Sequence, residues 1–426
     1  MIECVPPESV GLSAPRLSRI SDWLKQQVDQ QRLAGASVLV GRYGSHAFFD
    51  TAGFAEVETG KVFDVNTLVR IYSMTKPVTT VAAMMLYEQG HFQLDDPIAI
   101  YLPEFRNTPV WDGGKAGLDS VHPQKTPITV RHLMTHTAGL TYDFMHSNVV
   151  DEHYREAGLN MPGARESLES LVKRLAQAPL ICQPGSQWNY SVASDVLGRL
   201  VEVWSGQSLA QYFENHIFQP LGMNDTGFFV PPEKAERFAA LYGPQSGADM
   251  SSVGKTSSPG IAPPKPTGIK LLEASAGSRF LKDPQLFSGG GGLVGSITDY
   301  ARFCQMLLSG GELDGQRLLG RKTVEYMRIN HLPDDQDMAA MGQPVWSETS
   351  YDGIGFGLGF AVVLDPAKAQ IITSPGEHHW GGAASTFFWL DPEEDIYAVM
   401  FTQLMPSSTW PIRRELRTRV YQAIVD

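Results

Sequence analysis

The sequence predicts a mixed α/β (α+β) fold: an antiparallel sheet flanked by helices, with a mainly helical lobe inserted into it. Three observations carry that expectation. Strand-like runs cluster at the two ends of the chain, three-to-four apolar spacing dominates its middle, and Gly and Pro are plentiful, at 41 and 28 of 426 residues. That many turn-formers favour loops over a helical bundle. A chain of this length exceeds one small core and has room for two lobes.

Taken in order, "GASVLVGRYGSHAFFDTAGFAE" (35–56) reads as a hairpin, with apolar runs on either side of a Gly-bearing turn. "VTTVAAMMLYEQG" is apolar on most sides and ends in Gly90, the pattern of a buried helix with a glycine stop. "ESLESLVKRLAQA" and "SDVLGRLVEVWSGQSLAQYFENHIF" repeat apolar residues at helical spacing. Residues 243–268 are rich in Pro, Gly and Ser and read as a loop. "DYARFCQMLLSGG" is again helical. "GFGLGFAVVL" and "STFFWLDPEEDIYAVMFTQL" read as strands with a solvated acidic turn, and "RRELRTRVYQAIV" as a covering helix. Pairing the two ends in one sheet gives an α/β lobe of 1–90 and 276–426, with 91–275 as a helical lobe walling a cleft.

Composition excludes some classes of function. Apolar residues make up 42% and charged residues 19%, as in ordinary globular chains, and the formal charge is -12. Nucleic-acid binding needs a clustered basic surface, so it is not expected. No signal peptide is read at the start, and no run approaches ~18 uninterrupted apolar residues, so a spanning helix is not expected. Cys4, Cys182 and Cys304 are odd in number and far apart, which fits reduced thiols in a cytoplasm better than disulfides or zinc. Oligomeric state leaves no signal.

Chemistry is suggested first by "IYSMTKPVTT". Ser73 and Lys76 stand at i and i+3, the spacing that shares a helix face. Pro77 is tolerated only in a first turn, so a helix starting near Ser73 would offer free N–H groups to an oxyanion. A serine hydroxyl needs a base to become a nucleophile, and burial of Lys76 against "VAAMML" would favour the neutral amine that role requires. The same spacing recurs at Ser170/Lys173, on a charged amphipathic helix, and at Ser252/Lys255, in the loop. Both of those read as ordinary polar residues. Tyr190, between a loop and a helix, is either a buried tyrosine with a satisfied hydroxyl or a proton shuttle that a nearby cation such as Lys76 would assist. Gly381 and Gly382 precede an apolar strand, either as a plain turn or as a place where backbone approaches a ligand.

In this order, "SMTK", "YSV" and "HWGG" resemble the serine β-lactamase and penicillin-binding-protein superfamily, and in particular its family VIII carboxylesterases, which have a class C β-lactamase fold. "RHLMTHTAGLTY", "PLGMNDTGF", "GGGGLVGSITDYARFCQMLLSGG" and "GFGLGF" are similar to recurrent segments of that family, so the resemblance spans about residues 8–424. It implies that Ser73 is the acylated nucleophile, Lys76 its partner and Tyr190 the general base. It also implies an oxyanion hole from the N–H groups of Ser73 and Ala383, with Val192, Trp380, Gly381 and Gly382 against the substrate. Two departures matter. Val192 stands where the lactamases have the asparagine of Tyr-x-Asn, and Trp380–Gly382 stands where they have Lys-Thr-Gly. A slip of one residue there would make His379 the lysine's counterpart.

Both departures remove polar contacts to β-lactams, so the expectation is a cofactor-free serine carboxylesterase acting on small, short-chain acyl esters. Alternatives are a β-lactamase, a D-amino peptidase, an acyltransferase or a non-catalytic penicillin-binding-like module. Other motifs carry less. A Gly-x-Ser-x-Gly elbow is absent. "KTS" at 255–257 lies in the loop, and Asp249 occupies the first glycine of a Walker pattern. His136 reads as a structural histidine beneath the site. His378 and His379 lack further ligands at metal spacing.

Overall fold

The computed structural model describes residues 2–159, 166–247, 266–342 and 351–426. The central sheet has eight strands: β1 (Gly35–Arg42), β2 (Ser45–Glu56), β3 (Lys61–Val62), β4 (Ile354–Phe356), β5 (Ala361–Val363), β6 (His378–Gly381), β7 (Phe387–Asp391) and β8 (Ile396–Thr402). Their order is β4-β5-β6-β7-β8-β1-β2-β3, antiparallel throughout. The first and last segments of the chain therefore meet at the β8–β1 pairing, where Leu39 lies opposite Val399.

Period-two alternation sorts side chains onto two faces. Val38, Val40, Phe387, Trp389, Ala398 and Met400 bury against helices α1 (Ala14–Asp29) and, at the end of the chain, Ile412–Tyr421. Leu39, Trp380, Phe388, Val399 and Phe401 bury on the opposite face, in a continuous core shared with the middle of the chain. That core centres on α2 (Thr75–Glu88), where eleven of fourteen residues are buried. A helix apolar all round belongs inside a protein, not on its surface. Gly90, with φ +80°, follows its end, as the glycine stop predicts. Helix α3 (Ala193–Ser205) packs on α2, α4 (Ile297–Leu308) covers β8, and the C-terminal helix is α5.

Two expected elements differ. The run from Ser194, whose apolar residues repeat at helical spacing, is interrupted at Gly206, whose φ of +70° ends α3; Ser208 and Gln211 then cap a new helix at Leu209. The expected loop at 243–268 begins and ends in strand, because Leu241–Ser246 pairs with Thr267–Glu273. Tyr242 anchors this ribbon by donating its hydroxyl to Glu58 at 2.6 Å. Ser252, Lys255, Ser257 and Asp249 lie outside the described residues. Ser170 and Lys173 bond to Glu166 and Glu169, as expected of a solvated helix face. Among the described residues, no helix is long and apolar enough to cross a membrane.

Candidate active site

Residues Val69–Arg70 pair with Val294–Gly295, and Tyr72–Met74 form a single 3-10 turn that leads directly into α2. Tyr72 holds φ +43°, a conformation unfavourable for an aromatic residue and one that concentrates at functional sites. Ser73 is thus presented at the amino-terminal entrance of α2, with Lys76 one turn further in.

Lys76 is 1% exposed, and its Nζ donates to three oxygens: Ser73 Oγ at 3.2 Å, Tyr142 Oη at 2.9 Å and the Gly290 carbonyl at 2.7 Å. Tyr190 Oη bonds to Ser73 Oγ at 2.6 Å, a contact along which either hydroxyl can donate. Its ring lies 4.6 Å from Lys76 Nζ. Three residues singled out by spacing and context therefore meet around one oxygen, although Tyr190 lies 117 positions from Ser73.

Two residues in this cluster went unnoticed in the sequence. Tyr142 stands within "RHLMTHTAGLTY", but nothing local marks it as different from a core aromatic. Its ring packs on Tyr190 at 5.2 Å, and burial, with Tyr190, Asp195 and Asp143 nearby, holds its hydroxyl well above the ordinary phenol value. Asp195, in the first turn of α3, accepts from Ser288 and from the Gly290 amide. An Asp near a helix start reads as a cap, so it gave no signal. His136 lies beneath the site, as expected. Its ring is 5.1 Å from Tyr190, and Nδ1 is 3.2 Å from Ser191 Oγ. Burial and then the Lys76 charge hold it neutral, well below its usual value.

The third motif is β6 and the turn after it. Trp380 faces the cluster, with its ring 5.5 Å from Tyr190 and 5.3 Å from Phe356. Alternation turns His379 to the other face, where it bonds Glu377 at 2.7 Å and packs on Phe387. The structure does not bring His379 to Ser73, which corrects the one-residue slip. Gly381 shares that face: a Cβ there would meet Arg413 at 2.4 Å. Gly382 is tightly constrained, because a Cβ would lie 2.2 Å from Thr386 Oγ1 and 2.3 Å from the Ile71 carbonyl. Thr386 Oγ1 also donates to that carbonyl at 3.3 Å. The turn bearing Ala383 is thereby held against the segment entering Ser73. Val192 is a second correction: it is 0% exposed at the start of α3 and offers no surface to a ligand.

The Beta-lactamase family model matches residues 20–422. The chain belongs to the Beta-lactamase family. Among curated members, it is 32% identical to esterase EstB of Burkholderia gladioli, over 97% of this chain and 98% of that one. It is 28% identical to the acyltransferase calJ of Penicillium decumbens, over 85% and 82%. The solved structure of EstCE1, described as a hydrolase with promiscuous acyltransferase activity, superposes with a TM-score of 0.77 at 30% identity, covering 96% of this chain and 99% of that one. The large antiparallel sheet flanked by helices is the fold of this family, as the resemblance implied.

Proposed function

We propose that this member of the Beta-lactamase family is a serine carboxylesterase that hydrolyses short-chain acyl esters through an acyl-enzyme on Ser73. The observation that carries the reading is the convergence of Lys76 Nζ and Tyr190 Oη on Ser73 Oγ, at 3.2 and 2.6 Å, at the start of a helix. Ser73 Oγ attacks the ester carbonyl as its proton passes to a Tyr190 phenolate, the base form that the Lys76 charge stabilises, leaving a neutral phenol. The amides of Ser73 and Ala383 hold the developing oxyanion. Tyr190 then protonates the leaving alcohol, and a water activated by the same group releases the acid. Trp380 supplies an apolar wall, and the described residues of the helical lobe within 91–275 wall the cleft.

The test uses the intact protein. Incubation with a fluorophosphonate is expected to add one adduct, on Ser73, by mass spectrometry. Turnover of p-nitrophenyl butyrate is expected to exceed that of nitrocefin. No adduct on Ser73 sinks the enzyme reading, and a large preference for nitrocefin replaces the esterase reading with a lactamase one. The likeness to calJ and EstCE1 supports a second reading, acyl transfer, since an acyl-enzyme yields to any nucleophile that reaches it. Added alcohols should then divert acyl groups into new esters, detected by chromatography.

A further inference from the structure

Lys76 is joined through Gly290 to a buried carboxylate that the hydrolysis scheme leaves unused. The carbonyl of Gly290 accepts from Lys76 Nζ at 2.7 Å, and the N–H of the same residue donates to Asp195 Oδ1 at 2.9 Å. Ser288 Oγ donates to that same Oδ1 at 2.6 Å, the short separation of a hydroxyl on an ionised carboxylate. Asp195 is 0% exposed, and its Oδ2 has no hydrogen-bond partner among the described residues. A Cβ on Gly290 would lie 2.5 Å from Asp195 Oδ2 and 3.1 Å from Tyr142 Oη. Only glycine therefore lets the carboxylate and the Lys76–Tyr142 pair face each other across so thin a partition.

The charged and titratable groups around this point are few. Lys76 comes from α2, His136, Tyr142 and Asp143 from the loop before the site, Tyr190 from the segment entering α3, and Asp195 from α3 itself. His136 is neutral, and Asp143 is only half-buried. Burial, the largest cause, holds the Asp195 carboxyl above its usual value, and the Ser288 hydroxyl, the Lys76 charge and the Gly290 amide offset only part of that rise. The three oxygens around Nζ match in number the three donors of an ammonium, and the Gly290 carbonyl among them can only accept. An ammonium 1% exposed needs a counter-charge, and Asp195 is the fully buried carboxylate at hand.

We propose that Asp195 is a positioning residue: it supplies the buried negative charge that balances a Lys76 ammonium, and through Gly290 it aims Nζ at Ser73. Proton acceptance then falls to Tyr190, and Lys76 acts as its electrostatic partner. The kinetic consequence rests on the hydrolysis reading; the charge pairing does not.

The test is a stability cycle with a kinetic arm. Lys76→Met is expected to lower Tm by stranding the carboxylate, and adding Asp195→Asn to it is expected to raise Tm again. A second substitution that lowers Tm in the Lys76→Met protein overturns the pairing. In the otherwise native protein, Asp195→Asn removes a negative charge, so both limbs of the pH profile of kcat/KM should move to lower pH by about one unit. Ser288→Ala, which keeps the charge, should lower kcat/KM with the profile in place. An unmoved profile in a folded Asp195→Asn protein reduces Asp195 to a structural residue and overturns the proposal. If the native protein shows no ester turnover while the stability cycle holds, the hydrolysis reading fails and the pairing stands.

Discussion

Around Ser73 Oγ, small atomic details decide the chemistry. Tyr190→Phe removes the hydroxyl 2.6 Å from the nucleophile and is expected to cost about 10²–10⁴-fold in kcat/KM with an unchanged circular dichroism spectrum. Retained turnover would refute its role as base. Tyr142→Phe leaves one Lys76 donor without its 2.9 Å partner and should cost about 10–100-fold in kcat/KM, a smaller loss because Ser73 and Gly290 still hold the amine. Gly382→Ala forces a methyl against the Ile71 carbonyl, a backbone atom that cannot rotate away. It should destabilise the protein by about 1–3 kcal/mol and impair turnover together. Native stability and activity in that variant would show that the turn is not pinned to Ile71.

At the scale of the element, β6 separates two tasks by alternation. Trp380 stands over Tyr190, while Glu377 and His379 belong to a buried network with Arg417 of α5. Arg417 and His379 together hold the Glu377 carboxyl far below its ordinary range despite complete burial. Trp380→Phe, which keeps an aromatic ring in this buried position, should therefore change the ratio of kcat/KM between small and bulky esters at a stability cost of only about 1–2 kcal/mol. Glu377→Gln should instead lower stability by about 3–5 kcal/mol, because it leaves Arg417 buried without its charge partner. Chemical denaturation of the two variants measures the difference, and equal destabilisation would contradict the division of faces.

For the whole molecule, acid should act through histidines that the fold keeps neutral. Burial is the first cause that lowers His378 to about 4 and His132 to about 4, against an ordinary value near 6.5. Because the folded value lies below the unfolded one, the unfolded chain binds more protons between those limits. The stability these groups contribute is thus fully present above pH 6.5 and is lost as pH falls toward 4. Asp195 and Asp299, raised by burial, act in the opposite sense. Calorimetry is expected to show Tm falling by several degrees from pH 6.5 to 4.5, and a flat Tm across that window would refute the account.

By itself, the sequence determined the pairing of the chain's two ends in one antiparallel sheet, the buried helix after Ser73 and two of the groups around its hydroxyl, Lys76 and Tyr190. These were legible because apolar periodicity, the Pro77 and Gly90 punctuation and the Ser-x-x-Lys spacing are local patterns. Only the tertiary structure decided that Tyr142 and Asp195 join the cluster, that Trp380 faces it while His379 does not, and that Val192 is sealed in the core. Those facts depend on which face of a strand or turn meets a segment far away in the chain. A buried tyrosine or an aspartate in the first turn of a helix looks the same in sequence whether leucine or the lysine beside a nucleophile lies near it.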